Sequence, residues 1–178
     1  MMSSWKGVFP AVTTKMTPDG KIDATAMQSS LDRLVRNGVS GVIVLPMLGE
    51  NASLSAAERE TVIRLAKETV GGRVPVLSGL AEITLDTAKA NAAAYRSFGA
   101  EGLMVFPSLG YKTDPRETAH WYREIARSGR VPIMIYNNPI AYGVDVTADT
   151  QPVTPSAELS TIRSSTPQNT LNRSPKAM

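Results

Sequence analysis

The residues best placed to do chemistry are those that close short apolar segments of the chain. Tyr136-Asn137-Asn138-Pro139 ends one such segment with a phenol, two amides and a proline that forces a turn. A phenol there can donate and accept a proton, which makes Tyr136 a candidate catalytic relay. It can equally be a ring that completes the packing and leaves its hydroxyl at the rim. The residues alone leave both readings open. The other segment ends are Thr13-Thr14-Lys15, Pro46-Met47-Leu48-Gly49-Glu50-Asn51, Ser78-Gly79-Leu80-Ala81-Glu82 and Pro107-Ser108-Leu109-Gly110-Tyr111-Lys112. Much chemistry is excluded at once. With no cysteine there is no thiolate nucleophile, thiolate metal site or disulfide framework. His120 is the only histidine, so a histidine metal cluster or a Ser-His-Asp triad is hard to build. No metal and no cofactor is expected.

Five apolar runs read as buried parallel strands, because they are nearly continuous rather than alternating. They are Val8–Thr13, Gly41–Leu45, Val74–Ser78, Leu103–Phe106 and Val131–Tyr136. Four helical stretches lie between them. Asp23–Asn37 carries Met27, Leu31, Leu34 and Val35 on one face and stops at Gly38. Ser55-Ala-Ala-Glu58 opens the second as a capping box. The third starts near Thr84 and ends at Gly99. The fourth opens Asp114-Pro115-Arg116-Glu117, with cap, proline and first-turn acid in order, and ends at Gly129. The motif Gly38-Val-Ser-Gly41-Val-Ile-Val44 is echoed by Gly99-Ala-Glu-Gly102-Leu-Met-Val105, and Gly72-Arg-Val-Pro75 by Gly129-Arg-Val-Pro132. Doubled βα units fit a barrel. An open doubly wound sheet would favour a G-x-G-x-x-G loop after the first strand, where this chain has Thr13-Thr14-Lys15. The expected fold is α/β, a partial (β/α)8 TIM barrel of about five strands, in which reactive groups gather at the strands' C-terminal ends.

Nineteen basic against sixteen acidic residues give +3, too weak a field to imply nucleic acid or a membrane as partner. No apolar run approaches a membrane span, and Met1–Gly7 lacks the apolar core of a signal peptide. A cytoplasmic protein is expected. After Asp149 the character changes: residues 150–178 are rich in Ser, Thr and Pro, without helical or strand period. The expected division is a barrel part over 1–149 and a disordered or frame-shifted tail over 150–178. The chain then reads as C-terminally truncated.

The motifs together resemble the dihydrodipicolinate synthase / N-acetylneuraminate lyase family of class I aldolases and dehydratases. The resemblance runs from Gly7-Val-Phe-Pro-Ala-Val-Thr-Thr14 through Asp19-Gly20-Lys21-Ile22-Asp23, Gly49-Glu50, Leu54-Ser55-x-x-Glu58-Arg59 and Tyr136-Asn137-x-Pro139. It implies a lyase that condenses or cleaves a 2-oxo acid of the pyruvate type through a Schiff base to a lysine, without cofactor. It implies that Tyr136 relays protons. It implies that the loop of Met47, Leu48, Gly49 and Glu50 holds the substrate carboxylate, largely through backbone N–H groups. Homo-oligomers are usual in such a family.

Departures from the family pattern sharpen the expectation. Met47 and Leu48 stand where many members carry threonines, so a relay hydroxyl is missing. Ala141 stands where the synthases proper carry an arginine, and an apolar side chain cannot replace a bidentate guanidinium. Aspartate semialdehyde is therefore not the expected aldehyde, and another 2-oxo acid, sugar-derived, fits better. Leu109 replaces a tyrosine, for which Tyr111 is a candidate to compensate. Most telling, the strand that should bring the Schiff-base lysine reads Ser160-Thr-Ile-Arg163-Ser164. The alternative expectation is accordingly a catalytically dead remnant, or an oligomer-forming fragment that is not an enzyme. Lys15 and Lys112 lie at strand ends but read as solvated loop lysines, and His120 as a packing or surface histidine.

Overall fold

In the computed structural model, residues 5–147 and the strand 159–163 are described. Helices and strands alternate in the expected order. Helix α1 is Ala24–Arg36, β1 Val42–Val44, α2 Ala56–Val70, β2 Val76–Leu80, α3 Leu85–Phe98, β3 Gly102–Val105, α4 Pro115–Gly129 and β4 Ile133–Asn137. A single turn, α5 (Pro139–Tyr142), and a last strand, β5 (Leu159–Arg163), complete it. The strands form one parallel sheet in sequence order. This is the arrangement of consecutive right-handed βα units in a barrel wall.

Local chemistry sets the boundaries. The Asp23 carboxylate accepts from the Ala26 N–H at 2.9 Å and starts α1. Ser55 with Glu58, and Asp114 with Glu117, are complete capping boxes at the heads of α2 and α4. The first expected strand, Val8–Thr13, shrinks to one bridge between Ala11 and Ile43. Its ladder is short because Pro10 has no N–H and can only accept, from Ile43 at 3.0 Å.

One strand lies inside the stretch from 150 to 178 in which no strand period is legible. Leu159–Arg163 pairs in parallel with the free edge of β4, with Tyr136 beside Ile162 and Asn137 beside Arg163. Ladder pairing uses backbone groups and needs no hydrophobic alternation. The rest of the expected tail lies outside the described residues.

Two apolar layers flank the sheet. The larger packs Val44, Leu80, Leu103, Val105 and Ile135 against Leu31, Val62, Ile63, Tyr95 and Ile125 of the helices. The smaller lies on the barrel interior and contains Ile43, Leu77, Ala81, Met104, Phe106 and Met134, with Trp5, Phe9, Tyr136 and Tyr142 packed against it. The internal repeat finds its explanation here. A Cβ on Gly41 would collide with the Phe9 ring and one on Gly102 with the Trp5 ring. The second glycine of each repeat thus leaves room for an aromatic side chain of the N-terminal segment.

One feature of the outer layer works against stability. Tyr122 on α4 is fully buried and its hydroxyl has no hydrogen-bond partner among the described residues. Tyr122→Phe is expected to raise stability by about 1 kcal/mol, by removing an unsatisfied buried group. Burial alone pushes the Tyr122 phenol well above its ordinary 10.0. The unfolded chain therefore releases this proton first, and wild-type stability should fall as pH rises through about 10. Urea midpoints at neutral and alkaline pH measure both effects, and the gain in Tyr122→Phe should widen above that pH.

Candidate functional site

The loop after β1 is shaped by two strained residues. Leu45 (φ 53°) and Glu50 (φ 63°) both take left-handed backbone, which is rare outside glycine. Between them Pro46 leads into a single 3-10 turn, Met47–Gly49. The Gly49 and Glu50 N–H groups are spent within this turn, on Pro46 O at 2.8 Å and Met47 O at 3.3 Å. Among the described residues nothing accepts from the N–H of Met47 or Leu48. The side chains of Met47 and Leu48 are 41% and 70% exposed, so this loop offers backbone rather than side-chain groups.

Three contacts brace the loop from beneath. The buried Thr14 hydroxyl donates to Gly49 O at 2.7 Å. The Asn51 amide, fully buried, donates to both Leu45 O and Gly79 O at 3.1 Å. Gly79 admits this crossing, since a Cβ there would fall on the Leu45 carbonyl. Beside Asn51 runs a polar chain between α2, the β2–α3 loop and α3. Arg59 pairs with Glu82 at 2.9 Å and donates to the Tyr95 hydroxyl at 3.1 Å, and Asn91 donates to Glu82 at 2.6 Å. Burial raises the Tyr95 phenol above its ordinary value, against the pull of Arg59 and then of Asn51. Because the Arg59–Glu82 pair is largely buried, Arg59→Leu should cost about 2–3 kcal/mol by stranding the carboxylate. Arg59→Lys should recover part of this, as thermal unfolding will show.

Tyr136 stands near the C-terminal end of β4, on the interior face of the sheet. Its ring lies 4.7 Å from that of Phe106 and 6.1 Å, edge to face, from that of Tyr142. Asn138 reaches its hydroxyl at 3.5 Å. Asn137, its neighbour in the motif, faces the other way: it is buried, donates to Asp145 at 2.9 Å and Val146 O at 3.1 Å, and accepts from the Val146 N–H. The Asn137 amide therefore fixes the turn that follows, and the phenol alone is left for chemistry. Tyr142 is a neighbour that sequence reading did not single out. Burial, then the charge of Tyr136, raises its phenol.

The expected site residues thus fall into two groups at the same end of one sheet, on strands β1 and β4. Adjacent strands are about 4.8 Å apart, so the two groups stand about 14 Å apart along the curved wall. Their separation crosses β2 and β3, whose ends contribute Ala81 and Phe106 to the interior. The other candidates lie elsewhere. Lys15 donates to Thr13 at 2.8 Å. Tyr111 is 62% exposed with its hydroxyl 3.4 Å from Glu117, on the α4 side and not beside Tyr136. With the exposed His120 it lines a separate cavity of about 380 Å³ between the β2–α3 loop and α4. Among the described residues no three His, Asp or Glu side chains converge as metal ligands.

A parallel βα wall with its strands in sequence order defines the class: this is part of a TIM-barrel protein. The sequence model of the dihydrodipicolinate synthetase family matches residues 4–161, and the chain belongs to that family. Among its relatives, a probable 2-dehydro-3-deoxy-D-pentonate aldolase of Escherichia coli (strain K12) is 34% identical over 84% of this chain and 50% of its own length. A 4-hydroxy-tetrahydrodipicolinate synthase of Methanococcus maripaludis (strain C7) is 37% identical over 75% of this chain and 46% of its own. The crystal structure of YagE, a prophage protein of the dihydrodipicolinic acid synthase family from Escherichia coli K12 in complex with pyruvate, superposes with a TM-score of 0.75. It is 30% identical over 82% of this chain and 51% of that one. The chain spans about half the length of the curated relatives it matches. Among the described residues no helix is long and apolar enough to cross a membrane.

Proposed function

We propose that this chain carries the 2-oxo acid site of a cytoplasmic Schiff-base lyase, with the cradle formed and the nucleophile missing. The substrate carboxylate lies on the Met47 and Leu48 N–H groups, beside Gly49 and Glu50. The Tyr136 phenol faces the carbon chain, where a proton must be added or removed in aldol or dehydration chemistry. The observation that carries this reading is the pair of unspent N–H groups in a braced turn, which suits a two-oxygen anion. Ala141 supplies no cation for a second carboxylate, so the remote end of the substrate is neutral. A sugar-derived 2-oxo acid meets that requirement, and the similarity to a 2-dehydro-3-deoxypentonate aldolase supports it. Amide NMR during titration with pyruvate tests the reading. The Met47 and Leu48 resonances should move while those of α1 stay, and unmoved Met47 and Leu48 signals would sink it.

A second reading, a non-enzymatic fragment that self-associates, is favoured by one observation. Met47, Leu48, Ile83, Tyr111 and Ile140 are large exposed apolar side chains, all in the segments that follow the strands' C-terminal ends. Exposed apolar side chains gathered at one end of a sheet favour association. Sedimentation across a concentration series should then show self-association that Ile83→Lys weakens, whereas a monomer at every concentration would remove this reading.

A further inference from the structure

Asn51 follows the cradle directly and is fully buried. Its two N–H bonds go to carbonyls of different strands: Leu45 O, at the strained end of β1, and Gly79 O, within β2. No backbone ladder joins these two carbonyls, for the β1–β2 register runs from Val42–Val76 to Val44–Ser78 and stops. The amide takes over where the ladder ends. Its remaining atom, Oδ1, is buried without a hydrogen-bond partner among the described residues. A buried polar atom is normally satisfied, so Asn51 is held where its donors are needed at a cost to its acceptor.

We propose that Asn51 is the positioning residue of the carboxylate cradle, acting through the Leu45 and Gly79 carbonyls to hold the Met47 and Leu48 N–H groups turned outward for an anion. It touches no substrate. Its part is to keep left-handed Leu45 from relaxing, because release of that carbonyl would let the peptide planes of Pro46–Leu48 rotate and spend their N–H groups within the turn. The inference rests on the 2-oxo acid reading for its ligand, but the clamp has a signature of its own in the unliganded chain.

Two variants of the full chain test it. Asn51→Leu keeps the volume and loses both donors, while Asn51→Ser keeps one donor and folds if the leucine variant does not. In the unliganded chain, Gly49 and Glu50 amide exchange should quicken at least about tenfold in Asn51→Leu and by less in Asn51→Ser, the effect of losing buried hydrogen bonds, with α3 amides unchanged. In titrations followed by amide NMR, pyruvate affinity should fall about tenfold. Binding of pyruvamide, which has the keto group but no carboxylate, should be the same in wild type and variants. Asn51→Ser should lie between wild type and Asn51→Leu in both measurements. Unchanged exchange at Gly49 and Glu50 in a folded variant overturns the clamp. Quickened exchange with unchanged pyruvate affinity also overturns it as a positioning device, as does an equal loss for pyruvate and pyruvamide. If pyruvate leaves the wild-type cradle signals unmoved, the 2-oxo acid reading fails and takes the ligand assignment with it. The exchange result still decides whether Asn51 holds the turn.

Discussion

Borohydride reduction in the presence of pyruvate is expected to leave the mass of this chain unchanged. A Schiff base needs an uncharged amine within reach of the keto carbon. Strand β5 runs beside the tyrosine strand, and the residues from Leu159 to Arg163 contain no amine. The residue paired with Tyr136 is Ile162, and that paired with Asn137 is Arg163. A guanidinium keeps its proton at any accessible pH and does not attack carbonyls. Lys15, at a strand end, donates to the exposed Thr13 hydroxyl at 2.8 Å. The Lys112 side chain packs beside Gly143, and no hydrogen bond or ion pair joins its ammonium to Tyr136 among the described residues. Without an iminium no electron sink forms, and cleavage or dehydration of a 2-oxo acid should run at least about a millionfold below a competent relative. Mass spectrometry after reduction decides the matter. A mass gain on any lysine of the chain would show that the site recruits an amine from elsewhere, and peptide mapping would name it.

The fold was legible where its determinants are local. Capping boxes at Ser55 and Asp114, glycine stops and continuous apolar runs depend on a few adjacent residues, and the helices begin and end within one or two positions of those signals. The N-terminal apolar run forms only a bridge because its hydrophobicity serves another purpose: Phe9 packs against a glycine of the wall rather than lining a long ladder. Strand β5 was invisible because an edge strand can be recruited by backbone pairing alone. The site divides in the same way. Tyr136 and the Met47–Glu50 loop announce themselves through residue types at segment ends. The braces do not, since Asn51, Arg59, Glu82 and Tyr95 are scattered across 45 positions and meet only after folding. One signal was available: a carboxylate, Glu82, at the end of an apolar strand in a chain with a weak net charge, which had to find a cation if buried.

Gly79→Ala is expected to be the most damaging of the small substitutions, costing about 4 kcal/mol and abolishing the pyruvate response. The added methyl group has nowhere to go. It would meet the Leu45 carbonyl and the Pro46 backbone, and neither is a flexible side chain that can swing aside. Ordinary overpacking of a core costs about 1–3 kcal/mol because side chains share the displacement. Here the displaced group is a backbone carbonyl already held in left-handed geometry, and moving it also breaks the Asn51 bond and loosens the head of the 3-10 turn. A substitution on the opposite face of the same strand separates the steric effect from a general intolerance of β2. Ser78→Ala removes a hydroxyl whose one contact, to Gly79 O at 3.1 Å, is local, and it should change stability by less than about 1 kcal/mol. Urea unfolding of the two variants, with cradle amide signals followed in parallel, reads both quantities. If Gly79→Ala unfolds near the wild-type midpoint and keeps the Met47 and Leu48 response, the turn is not held by the crossing of β1 and β2. The strain at Leu45 would then need another source, within Pro46–Glu50 itself.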